Sequence, residues 1–194
     1  RTVPFISKAA GLPLARAAAR IMAGDRIADL ALPPDDRRPE WFCMKEAVMP
    51  WGRFPGADVV LGPEMKSTGE VMGIARSYPE AYAKSQLAIS YRLPTPDAGA
   101  VFISVNDRDK RSILSLARIL RYLGFNIVST EGTARVLAGG NVPCEVVRKF
   151  SGVHPNIGDM TAAGEIALII NTPYGSEARG DGYAVRTEAV RRGV

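Results

Sequence analysis

The chain has 194 residues, a formal charge of +5, 46% apolar and 23% charged residues, and two cysteines. This length fits one large domain or two small ones, and the composition is that of a globular protein. The basic excess is mild and spread along the chain, without the dense, aromatic-interleaved patch of a nucleic-acid platform, and no run of some 20 uncharged apolar residues offers a membrane span.

The chain opens Arg1-Thr2-Val3-Pro4 with neither initiator Met nor signal-peptide pattern, which reads as a cut inside a larger polypeptide. Leu14, Ala17, Ala18, Ile21 and Met22 form a helical stripe that Pro13 opens and Gly24 stops. Leu32 to Pro39 is turn-rich and charged, and Trp41 to Met49 reads as a strand with Phe42, Met44 and Ala47 among its apolar members. Phe54 to Gly73 is rich in glycine and proline and reads as irregular. Ser77-Tyr78-Pro79-Glu80 has the form of a capping box and predicts a helix from about Pro79 to Ala88. So few strands predict the tail of a domain rather than a complete catalytic one.

Leu93-Pro94-Thr95-Pro96-Asp97-Ala98-Gly99 carries two prolines and reads as a linker. The rhythm then changes. A strand is predicted over Val101 to Val105, and a helix over Asp107 to Leu123 with Ile113, Leu116, Ala117, Leu120 and Leu123 on one face. Asp107 and Asp109 fall in its first turn, suiting the dipole, and Gly124 ends it. Phe125 to Ser129 and Glu145 to Val147 read as strands, with a helix over Glu131 to Ala138 between them. Asn156 caps a short helix to Ala163, Ile166 to Ile170 reads as a strand buried on both faces, and Tyr183 to Arg192 as a last helix stopped by Gly193. This alternation predicts an α/β fold, an open parallel sheet with helices on both faces, whose ligands bind at the carboxyl ends of the strands.

That rule selects Ser104 and Lys110 after the first strand, Thr130, Gly132 and Thr133 after the second, Lys149 after the third, and Asn171, Thr172 and Pro173 after the fourth. The Thr130-Glu131-Gly132-Thr133 turn between strand and helix suits a phosphate, through free backbone N–H groups, hydroxyls and the positive end of the helix dipole. The plainer reading is a helix cap in which Thr130 or Thr133 satisfies first-turn amides. Lysine partners phosphate as a point charge, while Asn and Thr suit ribose hydroxyls or base edges. His154, the single histidine, precedes Pro155 in a turn and reads as a loop residue; Asp159 pairs with a helix dipole or serves as a general base beside the phosphate. Cys43 and Cys144 lie far apart in apolar stretches and read as reduced, which predicts a cytoplasmic protein; no metal site is expected.

Arg1 to Lys8 and Leu61-Gly62-Pro63-Glu64-Met65-Lys66-Ser67-Thr68-Gly69-Glu70-Val71-Met72-Gly73 resemble the second synthetase half of the carbamoyl-phosphate synthase large chain. The segment from Ser104 to Thr172 resembles that chain's C-terminal regulatory domain, similar in fold to methylglyoxal synthase. The resemblance implies an α+β tail of an ATP-grasp domain over residues 1–92, a linker over 93–98 and a methylglyoxal-synthase-like domain over 99–194. It implies a ligase making carbamoyl phosphate from bicarbonate, glutamine-derived ammonia and ATP for pyrimidine and arginine synthesis, working with a glutaminase small chain and with magnesium or manganese. The metal ligands of the second ATP site would lie upstream of Arg1; Arg1 matches an arginine of that site, so this chain would bind no cofactor and would not catalyse alone.

The resemblance also carries Lys110, Thr130, Thr133, Lys149, Asn171 and Thr172 onto phosphate- and ribose-binding positions for a nucleoside monophosphate, uridine monophosphate as inhibitor or inosine monophosphate as activator, with Ser104 near the site. The chain has Pro173 where the bacterial pattern has a second Thr, and ends at Val194 where the family continues with another strand and helix. The alternative is a lyase like methylglyoxal synthase acting on a triose phosphate with Asp159 as base, but such an enzyme needs a histidine after the fourth strand, where this chain has Asn171-Thr172-Pro173-Tyr174. For the first half a pure interaction module, resting on the apolar Trp41–Met49 stretch, stays open.

Overall fold

The structure, a computed structural model, describes residues 2–33, 40–54, 56–59, 61–89 and 92–194, with side chains at all of these but 176–179. Arg1 and the greater part of the turn-rich stretch before Glu40 lie outside the described residues. The chain divides into two compact units, Arg1–Pro50 with Pro63–Leu93, and Trp51–Gly62 with Pro94–Val194.

The first unit holds α1 (Thr2–Ala10), α2 (Leu14–Met22), β1 (Phe42–Val48), β2 (Gly69–Ala75) and α3 (Tyr78–Ala88). The stripe read from Leu14 to Met22 is α2, and the predicted strand from Trp41 is β1. β2 was not expected. It pairs antiparallel with β1 from Phe42 opposite Ala75 to Val48 opposite Gly69. Its glycines look like turn signals in sequence, but Gly73 serves close packing: a Cβ there would sit 1.9 Å from the Ala81 carbonyl oxygen and 2.7 Å from the Ser85 nitrogen. α3 therefore lies against the backbone of β2, with Ala81 and Ser85 fully buried. The predicted capping box at Ser77 is not formed. Ser77 stands at the N-cap without a side-chain cap hydrogen bond, and Glu80 is drawn to Lys84 one turn on, at 3.0 Å.

In the second unit β3 (Ala100–Val105), α4 (Lys110–Tyr122), β4 (Ile127–Ser129), α5 (Glu131–Gly139), β5 (Glu145–Val146), α6 (Ile157–Ala162), β6 (Ile166–Thr172) and α7 (Ser176–Arg192) follow one another. The four strands are parallel, in the order β5-β4-β3-β6. Alternation along β3 separates two cores. Val101, Ile103 and Val105 pack with Ile113, Ala117 and Leu120 of α4 and Leu137 of α5. Phe102 points the other way, to a cluster with Val128, Ile157 of α6, Ile166 and Val185 of α7. The predicted α/β sheet with helices on both faces is thus observed, beside the small antiparallel β1–β2 sheet.

Several local expectations are corrected. α4 starts at Lys110, because Asn106 holds the preceding residues in a turn: its Oδ1 accepts from the Arg108 N–H (2.9 Å) and its Nδ2 donates to Asp109 Oδ2 (2.7 Å). Asp107 lies outside the helix and Asp109 takes the N-cap. Leu116 on α4, and Leu123 just after its end, are exposed rather than core. β6 is an edge strand in this sheet, so beyond Ile166 its side chains are only half-buried. Trp51–Gly62 groups with the second unit although it precedes the linker; there Tyr183 Oη donates to Asp58 Oδ1 at 3.1 Å.

Candidate functional site

β3 and β6 run side by side, while β4 and β5 lie on the other side of β3, so the chain reverses direction across the sheet between β3 and β6. Splayed loops at such a reversal leave a crevice at the carboxyl ends of the strands. Here a cavity of about 740 Å³ opens, lined by residues from all four strand ends and from α7. Ser104, Lys110, Thr130, Gly132, Thr133, Lys149, Asn171 and Thr172 all border it. The structure therefore brings together every residue that the carboxyl-end rule selected.

The hydroxyls are arranged differently from a simple helix cap. Thr130 stands at the N-cap of α5 but makes no side-chain cap hydrogen bond; its Oγ1 lies 3.1 Å from Ser104 Oγ. Thr133, nearly fully buried, accepts from the Val105 N–H through Oγ1 at 3.2 Å. Thr133 thus finishes the end of β3 from inside α5, while Ser104 and Thr130 form a hydroxyl pair at the cavity wall. Gly132 has an ordinary helical backbone, and a Cβ on it would meet only Lys110 Nζ, at 3.5 Å. The glycine leaves room for the lysine ammonium over the first turn of α5.

The cavity's charged groups differ in how they are held. Lys110 pairs with Asp107 (2.6 Å), Glu131 with Arg135, and Asp181 accepts from Ser151 Oγ (3.2 Å). Arg148 Nη1 reaches the carbonyls of Val153 and His154. Lys149 is exposed and forms no ion pair among the described residues. It is the cation most readily available to an anionic guest.

Several wall residues escaped the sequence reading. Asn106 fastens the ends of β3 and β6, its Nδ2 donating to the Thr172 carbonyl and to Thr172 Oγ1, both at 3.1 Å. An Asn directly after a strand was the available signal. Tyr174 borders the cavity with the Arg108 guanidinium 4.8 Å from its ring centre. Asp181, Gly182 and Val185 come from α7, and a Cβ on Gly182 would lie 2.8 Å from Pro173 Cγ and 3.1 Å from Asn171 Nδ2. No strand-end rule points to a helix that packs across the opening.

Asp159 does not line this cavity. It closes a capping box with Asn156 and lies 2.7 Å from His154 Nδ1. The His154 hydrogen bond, then the Asn156 N–H, hold its carboxyl below the usual range. A helix-capping role accounts for these contacts. Cys43 and Cys144 are both free, and burial pushes the Cys144 thiol up. Among the described residues no helix is long and apolar enough to cross a membrane.

A parallel α/β sheet with a crevice at its strand ends defines the class of the second unit, and residues 112–194 match the MGS-like domain family. Across nearly its whole length the chain is similar to carbamoyl phosphate synthase large chains. It is 50% identical to the C-terminal section of that large chain from Methanopyrus kandleri, with 98% of the chain and 36% of the relative covered. It is 50% identical to the large chain of Methanothermobacter thermautotrophicus and 47% identical to that of Myxococcus xanthus, covering 100% of the chain and 18% of each relative. The chain is thus homologous to part of these large chains and carries an MGS-like domain, while spanning only about a third or a fifth of the relatives' lengths.

Proposed function

We propose that the chain is the regulatory portion of a carbamoyl phosphate synthase, and that the cavity of its second unit binds a nucleoside monophosphate as allosteric effector. The observation that carries this reading is the convergence of Lys110, Lys149, Ser104, Thr130, Asn171 and Thr172 on one cavity at the strand ends. The lysines suit a phosphate, and Asn171 and Thr172 suit ribose hydroxyls. A volume of about 740 Å³ is in the range of small-ligand sites. Uridine and inosine monophosphates are the proposed effectors.

The ligase chemistry, consuming bicarbonate, glutamine-derived ammonia and ATP, is proposed for the larger enzyme, with a glutaminase small chain as partner. The first unit is read as the end of an ATP-grasp domain. The magnesium or manganese that accompanies ATP is likewise proposed for the larger enzyme. The lyase reading finds no support at the cavity, from which Asp159 is absent.

Thermal melts with uridine and inosine monophosphates test the reading. A saturable stabilisation by either is expected. Lys149→Ala removes one charge-assisted contact, worth about 1.5–3 kcal/mol, and should weaken binding at least tenfold with the fold intact. Unchanged affinity would remove Lys149 from the site.

A further inference from the structure

Lys110, which lines the cavity, is paired with a carboxylate that stands outside the lining. Asp107 Oδ1 lies 2.6 Å from Lys110 Nζ, with the lysine side chain only 23% exposed and the aspartate 90% exposed. The lysine is the fixed partner, and the carboxylate reaches it from solvent. Asp107 makes no other side-chain hydrogen bond among the described residues, whereas Asp109, Glu131 and Asp181 each have a different partner. Lys110 Nζ also lies over Gly132 at the start of α5, in the cavity that Ser104 and Thr130 line, where a phosphate would need it. Hydrogen bonding to Lys110, and then its charge, hold the Asp107 carboxyl below the usual range, so it is ionised at neutral pH.

We propose that Asp107 is a tethered competitor for the phosphate of the effector. Its carboxylate occupies the Lys110 ammonium in the empty site and must swing into solvent before a phosphate takes that place. This rests on reading the cavity as a nucleoside monophosphate site. A side chain three residues away is always present at high effective concentration, so it lowers affinity by a constant factor without blocking the site. Because Asp107 is nearly fully exposed, releasing it costs little, and the factor is modest. Competition has a signature that mere charge repulsion lacks. It weakens every ligand that uses Lys110 by the same factor, whatever the ligand's charge, and leaves ligands without a phosphate untouched. Repulsion would penalise a dianion more than a monoanion.

Calorimetric titrations of the 194-residue chain and of its Asp107→Asn variant separate these cases. The probes are uridine monophosphate, its singly charged methyl phosphodiester, and uridine. The expected result is that Asp107→Asn tightens both phosphate ligands by the same factor, about two- to fivefold, and leaves uridine unchanged. Equal or weaker phosphate binding in the variant overturns the proposal. So does a gain confined to the monophosphate, which signals repulsion alone, or an equal gain for uridine, which signals a reshaped pocket. If neither protein binds any of the three, nor inosine monophosphate, the effector-site reading falls and this inference falls with it.

Discussion

Gly182→Ala is a sharp test of the cavity wall, because two opposing effects can be weighed. Gly182 lies inside α7, where replacing glycine by alanine favours the helix by about 1 kcal/mol. The new Cβ would, however, stand 2.8 Å from Pro173 Cγ, 3.2 Å from Pro173 Cβ and 3.1 Å from Asn171 Nδ2. Pro173 is a rigid ring that cannot turn aside, so α7 must move off by about 0.8 Å to restore ordinary carbon contact near 3.6 Å. Overpacking of this kind costs about 1–3 kcal/mol. The net expectation is destabilisation by up to about 2 kcal/mol, with the wall at Asn171 and Pro173 displaced. Urea unfolding measures the first effect. Titration with uridine and inosine monophosphates measures the second, with a loss on the order of tenfold, about 1.4 kcal/mol. A variant about 1 kcal/mol more stable than the parent, with full affinity, would refute the reasoning: α7 would then yield freely and would not form the wall.

Two further outcomes follow from the geometry. Gly73→Ala places a Cβ 1.9 Å from a backbone carbonyl of α3 that no rotamer change can relieve, so it should destabilise the first unit by more than about 3 kcal/mol in urea melts, and a change under 1 kcal/mol would contradict the strand–helix packing. Asp159 is held below its ordinary value of 3.8, so its contribution to stability is present above that pH and is lost as pH falls through the lowered folded value. Thermal melts of Asp159→Asn should therefore show a deficit at neutral pH that shrinks below pH 3.8, and a deficit constant across that range would exclude the linkage.

The second unit was readable because its strands are short apolar runs separated by amphipathic helices, so that β3, β4, β6 and α5 fall close to their predicted spans. Parallel topology then places the strand-end residues together, which is why Ser104, Lys110, Thr130, Lys149, Asn171 and Thr172 could be selected before any coordinates. What escaped depends on contacts distant in sequence. β2 is masked by glycines whose purpose is the approach of α3. The edge position of β6 is a property of strand order, not of its apolar composition. The grouping of Trp51–Gly62 with the second unit has no local signature, and the Tyr183–Asp58 hydrogen bond within it spans 125 residues. α7 enters the cavity wall by packing, and the late start of α4 depends on the Asn106 turn.

A crystal structure of the chain with uridine or inosine monophosphate tests the central claim most directly. The account predicts the nucleotide in the cavity of the second unit, its phosphate within hydrogen-bond reach of Lys110 and Lys149 and its ribose against Asn171 and Thr172, with Asp107 turned away from Lys110. A nucleotide bound elsewhere, or a cavity left empty at saturating nucleotide, would contradict it.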